Sequence, residues 1–170
     1  MWKHKKKLSI FFLEFVIYSF IGWLYETILT SIALGRFVNR GVLSLPLCPI
    51  YGFFCLFLIL IFSKIPSKAF TVFIISTVVI SILEYLSSVL IEIIFNELWW
   101  DYSHWTYNLH GRISLYTSVG FGLASVLLIK FIHPKLYSFF NQKVKEKALV
   151  FTGVILCVSI LIDTYYTFLK

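Results

Sequence analysis

Read for hydrophobicity alone, the chain is five apolar runs at residues 8–34, 45–62, 69–95, 113–130 and 148–169, separated by short polar punctuation. A helix needs roughly 20 residues to cross a bilayer. The second run approaches that length only by including a stretch with Pro46 and Pro49. Backbone polar groups in lipid must be satisfied within their own segment, so helices are expected. The alternating pattern and long loops of a transmembrane barrel are absent. The expected fold is an all-α membrane protein with five transmembrane helices, in one integral membrane domain covering residues 1–170.

The polar positions inside those runs are not scattered. Glu84, Ser88, Glu92 and Asn96 recur every four residues, and Ser19, Gly22, Glu26 and Thr30 recur at spacings of three and four, so each helix carries one polar edge. At 1.5 Å per residue, Glu26 lies about 27 Å along the first run, Glu84 and Glu92 about 22 and 34 Å along the third, and Asp163 about 22 Å along the last. Only Glu14 belongs to the inner half. The first run holds fifteen Leu, Ile, Phe and Val residues, worth about 7 kcal/mol of insertion free energy, against about 6 kcal/mol for its two glutamates. A helix so nearly balanced must turn its carboxylates toward protein, water or a cation, which makes them candidates for a functional site.

Composition agrees with the pattern: 59% of residues are hydrophobic, 14% are charged, and mean hydropathy is +0.89. The net charge of +7 does not point to nucleic acid, which needs a soluble face of clustered Lys and Arg. It points to topology. With the N-terminus cytoplasmic and the C-terminus outside, the inner flanks hold Lys3, Lys5, Lys6, Lys7, Lys64, Lys68, Lys130, Lys135, Lys143, Lys145 and Lys147, against Arg36, Arg40, Arg112 and Lys170 outside. Plasma membrane is the expected location. KHKKK followed by LSIFFLEFVIYSF is too long in its apolar part for a signal peptide and is read as a retained first helix. Cys48, Cys55 and Cys157 show no CxxC spacing, and His104 and His110 lack a spaced partner set, so no metal site or cofactor is expected.

All three arginines fall on the outer side, with most of the membrane acids. Arg cannot shed its charge as a buried carboxyl can. An Arg below the headgroups therefore demands a carboxylate, whereas one at the interface is only an anchor. The connector FVNRGVLSLPLCPIYG (37–52) combines two prolines that oppose a regular helix start with Gly41 and Gly52, which permit turns and close approach. Irregular backbone near membrane depth is tolerated only beside protein or a water-filled cavity. The segment 36–49 is accordingly expected to fold back over the outer half of the bundle, delivering Asn39 and Arg40 to the acids. The second outer connector, NELWWDYSHWTYNLHGR (96–112), has the aromatics of an interfacial belt, plus Asp101, His104, Asn108, His110 and Arg112. One outward polar pocket is expected, with Glu26, Asn39, Arg40, Glu84, Glu92, Asp101, Asn108 and Arg112 as its binding residues. A shift of 70 residues aligns Glu14 with Glu84, Gly41 with Gly111 and Gly52 with Gly122, which suggests a parallel repeat of helices 1–2 and 3–4 with the fifth added.

YSFIGWLYE (18–26), FVNRGVLSLPLCPIYG, LEY (83–85) and WDYSHWTYNLHGRISLYTSVGFG (100–122) together resemble a bacterial family of ABC-transporter type IV permease-like proteins, over roughly residues 11–122. In that family a tryptophan often precedes the glycine where this chain has Phe121. The resemblance implies a transport role. No GxxxxGK[ST] loop is present, so ATP hydrolysis would come from a separate ATPase subunit. The basic stretch HPKLYSFFNQKVKEK, expected as a loop, offers a place for such a subunit or for anionic lipid. The leading expectation is a permease-like subunit, homo-oligomeric because five helices enclose little pathway, that binds a small polar or zwitterionic solute and contacts membrane lipids. Two alternatives stand beside it. One is a membrane enzyme acting on a lipid headgroup or peptide at the outer leaflet, with a Glu and His104 or His110 as acid and base. The other is a non-catalytic membrane partner or sensor whose polar cluster holds only its own fold.

Overall fold

The computed structural model describes residues 2–65 and 68–169; Lys170, counted above with the outer charges, lies outside them. Among the described residues six α-helices follow one another: α1 (Trp2–Leu34), α2 (Pro49–Phe62), α3 (Ala69–Phe95), α4 (Leu115–Leu127), α5 (His133–Lys143) and α6 (Glu146–Phe168). The chain divides into two compact units, Met1–Phe57 with Pro134–Lys170 and Leu58–His133. Among the described residues, four helical stretches are long and apolar enough to cross a membrane, at Lys5–Leu34, Ala69–Phe95, Leu115–Lys143 and Glu146–Phe168, while α2 is a shorter apolar helix.

In the first unit, α1 packs against α6. Ile10, Leu13 and Leu149 form a buried cluster there, with Tyr137, Phe140, Val144 and Leu156 laid on it, and Lys6 Nζ donates to the Asn141 carbonyl at 2.7 Å. The connector between α1 and α2 doubles back along α1. Val38 N–H donates to Ser31 Oγ (2.9 Å), Arg40 N–H to Thr27 Oγ1 (3.3 Å) and Cys48 N–H to the Ser19 carbonyl (3.0 Å). Contacts from Ser31 to Ser19 cover about 18 Å of α1 at 1.5 Å per residue. The segment is tied from another side by Leu45 N–H, which donates to Asp163 of α6 at 3.0 Å. Its polar backbone thus finds protein partners, as irregular structure beside apolar helices requires.

That return explains a departure from expectation. The second helix begins at Pro49, not residue 45, because residues 45–48 are still descending beside α1. Proline suits a first helical position, where its missing N–H is no loss. Gly52 then lies so close to α1 that a Cβ on it would overlap Ser19 Oγ and the Phe15 ring.

In the second unit, α3 packs against α4. Val72, Ser76, Ile80, Glu84 and Ser88 form a buried stripe at four-residue spacing. Beside it, Ser81 Oγ donates to Ser118 Oγ at 2.7 Å, and a Cβ on Gly122 would overlap Thr77 Oγ1 and touch the Phe73 ring. The connector here contains a small antiparallel hairpin, β1 (Asn108–Leu109) with β2 (Ile113–Ser114), so the fold is not purely helical. The fourth helix consequently starts at Leu115, not at residue 113. Ser114 is its extended N-cap and forms a capping box with Thr117. Ser114→Ala is expected to cost about 1 kcal/mol, read as a lowered thermal unfolding midpoint of the detergent-solubilised protein; an unchanged midpoint would remove the cap from the account.

Helical structure does not stop near residue 130 either. It passes through a π-helical turn (Leu128–Ile132), where His133 N–H donates to the Leu128 carbonyl, and continues as α5. The basic stretch expected as a loop is therefore helical as far as Lys143, and α6 starts at Glu146.

Candidate functional site

The predicted site residues fall into two sets, one inside each unit. In the first, the returning connector brings Arg40 Nε to 3.6 Å from Glu26 Oε2, with the two side chains about one-third exposed (34% and 28%). The Tyr51 hydroxyl, on the first turn of α2, donates to Glu26 Oε1. Tyr51 can reach across because Gly22 of α1 leaves room for its ring. Asn39 Oδ1 accepts from Trp23 Nε1 at 2.6 Å. Glu26 is thus held by a tyrosine from α2 and a guanidinium from the connector, while Arg36 stands exposed at the end of the turn.

In the second set, Arg112 Nη2 pairs with Glu92, and Nη1 donates to Ser88 Oγ at 2.9 Å. The Arg112 side chain is 17% exposed, and its guanidinium carbon lies 5.9 Å from the centre of the Tyr85 ring, a cation–π approach. The Tyr85 hydroxyl shares a hydrogen bond of 2.9 Å with His110 Nδ1. Four residues below Ser88, the Tyr102 hydroxyl donates to Glu84 Oε1 at 3.0 Å. The polar edge read from Glu84, Ser88 and Glu92 is therefore the face that receives the connector. Asn96, the next member of that spacing, is instead the left-handed C-cap of α3.

Asp101 and Asn108 do different work from the arginines. Asp101 accepts from Ser103 N–H (2.8 Å) and Ser103 Oγ (2.9 Å), bonds that hold its carboxyl below the usual range. Asn108 Nδ2 donates to the Trp105 carbonyl (2.7 Å) and its Oδ1 accepts from Gly111 N–H (2.9 Å). Both residues shape the connector, whose hairpin turns through His110 and Gly111, each at positive φ (55° and 68°). Trp100 Nε1 donates to the Arg112 carbonyl at 2.9 Å and Tyr102 N–H to the Gly111 carbonyl at 2.7 Å, fixing the backbone from which Arg112 projects. His104 Nε2 accepts from Trp105 Nε1 at 2.6 Å.

Sequence reasoning missed the two tyrosines. Tyr51 and Tyr102 sit inside the CPIYG and WDYS motifs, and the signal available was a phenol within a motif otherwise made of turn residues. Among the described residues, no three His, Cys, Asp or Glu side chains group as a metal site, and Cys48, Cys55 and Cys157 are free thiols.

Chemically, each set joins a cation and a carboxylate through a connector folded onto an apolar helix; a tyrosine hydroxyl completes the shell of the paired carboxylate, Glu26, in the first set and reaches a second carboxylate, Glu84, in the other. Such sets bind dipolar or charged groups, or hold their own helix against its connector. No curated protein and no solved structure matches the chain. A family profile described as "Putative ABC-transporter type IV" matches residues 13–168, taking in α6 as well as both connectors, and the chain is a membrane protein belonging to that family.

Proposed function

We propose that the protein is a permease-like subunit with two connector-and-helix sets, Glu26 with Asn39 and Arg40, and Glu84 with Glu92 and Arg112, each of which contacts a small polar or zwitterionic solute on the outer side. Asp101 and Asn108 serve that role by shaping the second connector. The observation that carries this reading is the recurrence, in both units, of an arginine returned by a connector to a carboxylate on an apolar helix. A solute bearing both charges can replace each partner in turn, whereas lipid tails cannot.

Five crossings are obtained if the returning segment 36–48 and α2 together make the second, irregular backbone at membrane depth being tolerated where protein surrounds it. The N-terminus is cytoplasmic and the C-terminus outside, in the plasma membrane, with protomers associating as homo-oligomers. A separate ATPase subunit supplies ATP hydrolysis.

A parallel repeat is part of the same reading, with a register that differs from the uniform shift of 70. Phe73 and Thr77 stand 58 places after Phe15 and Ser19, while Gly122 stands 70 after Gly52. Glu84 likewise stands 58 after Glu26, and each accepts a tyrosine hydroxyl. Glu26, rather than Glu14, is then the counterpart of Glu84, and the second connector is longer by twelve residues.

The test is solute-dependent protection of purified protein against heat, over a panel of small zwitterions, followed by uptake into vesicles. A solute at 100 times its Kd stabilises by about 2.7 kcal/mol. Glu84→Gln and Glu26→Gln are expected to fold and to weaken that protection at least tenfold. Full protection in both variants would leave the carboxylates as purely structural groups.

A further inference from the structure

We infer that the face of α5 turned away from α1 and α6, carrying Lys135, Ser138, Phe139, Gln142 and Lys143, is a docking surface for anionic phospholipid headgroups of the membrane in which the protein sits. The first observation is length. Leu115–Lys143 is one continuous helical stretch of 29 residues, or about 43 Å at 1.5 Å per residue, against about 30 Å for a hydrocarbon core. The excess, about 13 Å, corresponds to about nine residues, the length of the segment from Lys135 to Lys143. A helix entering at Leu115 therefore carries that segment into the headgroup layer, and the chain turns back immediately, since α6 starts at Glu146.

The second observation is which face is left over. Tyr137, Phe140 and Val144 are laid on the cluster of Ile10, Leu13 and Leu149, so that side of α5 is anchored to α1 and α6. Across the helix, Pro134, Lys135, Ser138, Phe139, Gln142 and Lys143 line a shallow groove, with Phe139 54% exposed. Lysines at both ends, hydroxyl and amide donors between them, and one exposed phenyl match a phosphodiester with the start of an acyl chain beneath it.

Charge complementarity is the third. Lys145 and Lys147 are exposed just beyond the helix, and Lys5 and Lys7 at the start of α1 are exposed in the same unit, with Glu146 the one acid in 133–147. A soluble acidic protein would also meet the lysines. The exposed Phe139 and the helix's continuity with an apolar membrane stretch favour lipid.

The experiment is native mass spectrometry of the full-length protein after equilibration with equal phosphatidylglycerol and phosphatidylcholine. The expected result is preferential retention of phosphatidylglycerol. Each lysine near an anionic surface contributes about fivefold, so Lys135→Gln/Lys143→Gln lowers the preference about 25-fold, and Lys135→Arg/Lys143→Arg keeps it. The single variants, each expected to lose about fivefold, keep the test open should the double one fold poorly. Four results would overturn the inference: equal retention of the two lipids by the wild type, an equal loss in a Lys64→Gln/Lys68→Gln control, displacement of the lipid by millimolar inorganic phosphate, or unchanged lipid preference in a double variant that instead loses a soluble protein partner.

Discussion

Gly122→Ala is expected to lose about 1–3 kcal/mol of stability, the usual penalty of inserting a methyl group where packing has no room, whereas Gly120→Ala, two residues earlier on the same helix, is expected to gain about 0.5–1 kcal/mol. Both changes raise helix propensity equally, so the difference isolates packing. The new Cβ at 122 would overlap Thr77 Oγ1, which is committed to the Phe73 carbonyl at 2.8 Å, while at 120 nothing lies within 4 Å. Gly52→Ala behaves like Gly122→Ala, because Ser19 Oγ is held to the Phe15 carbonyl in the same manner at 2.8 Å. Thermal unfolding of the detergent-solubilised protein measures all three. Equal midpoints for the 120 and 122 variants would mean that α3 and α4 do not approach as closely as the structure has them.

The glycines illustrate what the sequence made legible. Apolar length alone gave the long helices, because in lipid a backbone has few alternatives to satisfying itself. Their ends were less legible where side chains and connectors decide them. Residues 45–48 are apolar enough to read as helix, yet their backbone is spent on Ser19, Asp163 and each other. Ile113 likewise reads as membrane-helix sequence, but it pairs with Leu109 in the hairpin. Charge density made 133–143 look like a loop. Nothing in HPKLYSFFNQK opposes a helix, however, because a proline at the second position follows a π-helical turn that has already released the local hydrogen-bond pattern.

At the candidate site, the spacing of Glu84, Ser88 and Glu92 and the demand of an arginine for a carboxylate were readable, and Arg40 and Arg112 each meet one, while Arg36 stays exposed. Which carboxylate belongs to which arginine was not readable, since it depends on where each connector turns. That is set by side-chain bonds such as Asp101 to Ser103 and Asn108 to Gly111, whose spacing gives no hint of their target. The tyrosines escaped for a related reason. A hydroxyl reaching Glu26 from α2 requires Gly22 to stand beneath the Tyr51 ring, a tertiary coincidence of two helices.

Arg112→Met is expected to destabilise the folded protein by about 2 kcal/mol. Breaking a buried ion pair costs about 3–5 kcal/mol, and the discount reflects Glu92, whose side chain is 44% exposed and can be reached by water. The variant also orphans Ser88 Oγ and removes the cation from the Tyr85 ring. Arg112→Met/Glu92→Gln should recover part of the loss, giving a coupling energy of about 1–2 kcal/mol in a double-mutant cycle. The equivalent cycle on Arg40 and Glu26 should give less, about 0.5 kcal/mol, because that pair is longer, at 3.6 Å, and both side chains are about one-third exposed. A solute-binding role sharpens the contrast, since the looser pair is the easier one to open to an incoming charge. Equal coupling in the two cycles would contradict the geometry of both pairs. A larger coupling for Arg40 would move the structural burden to the first connector and leave Arg112 as the cation free to meet a ligand.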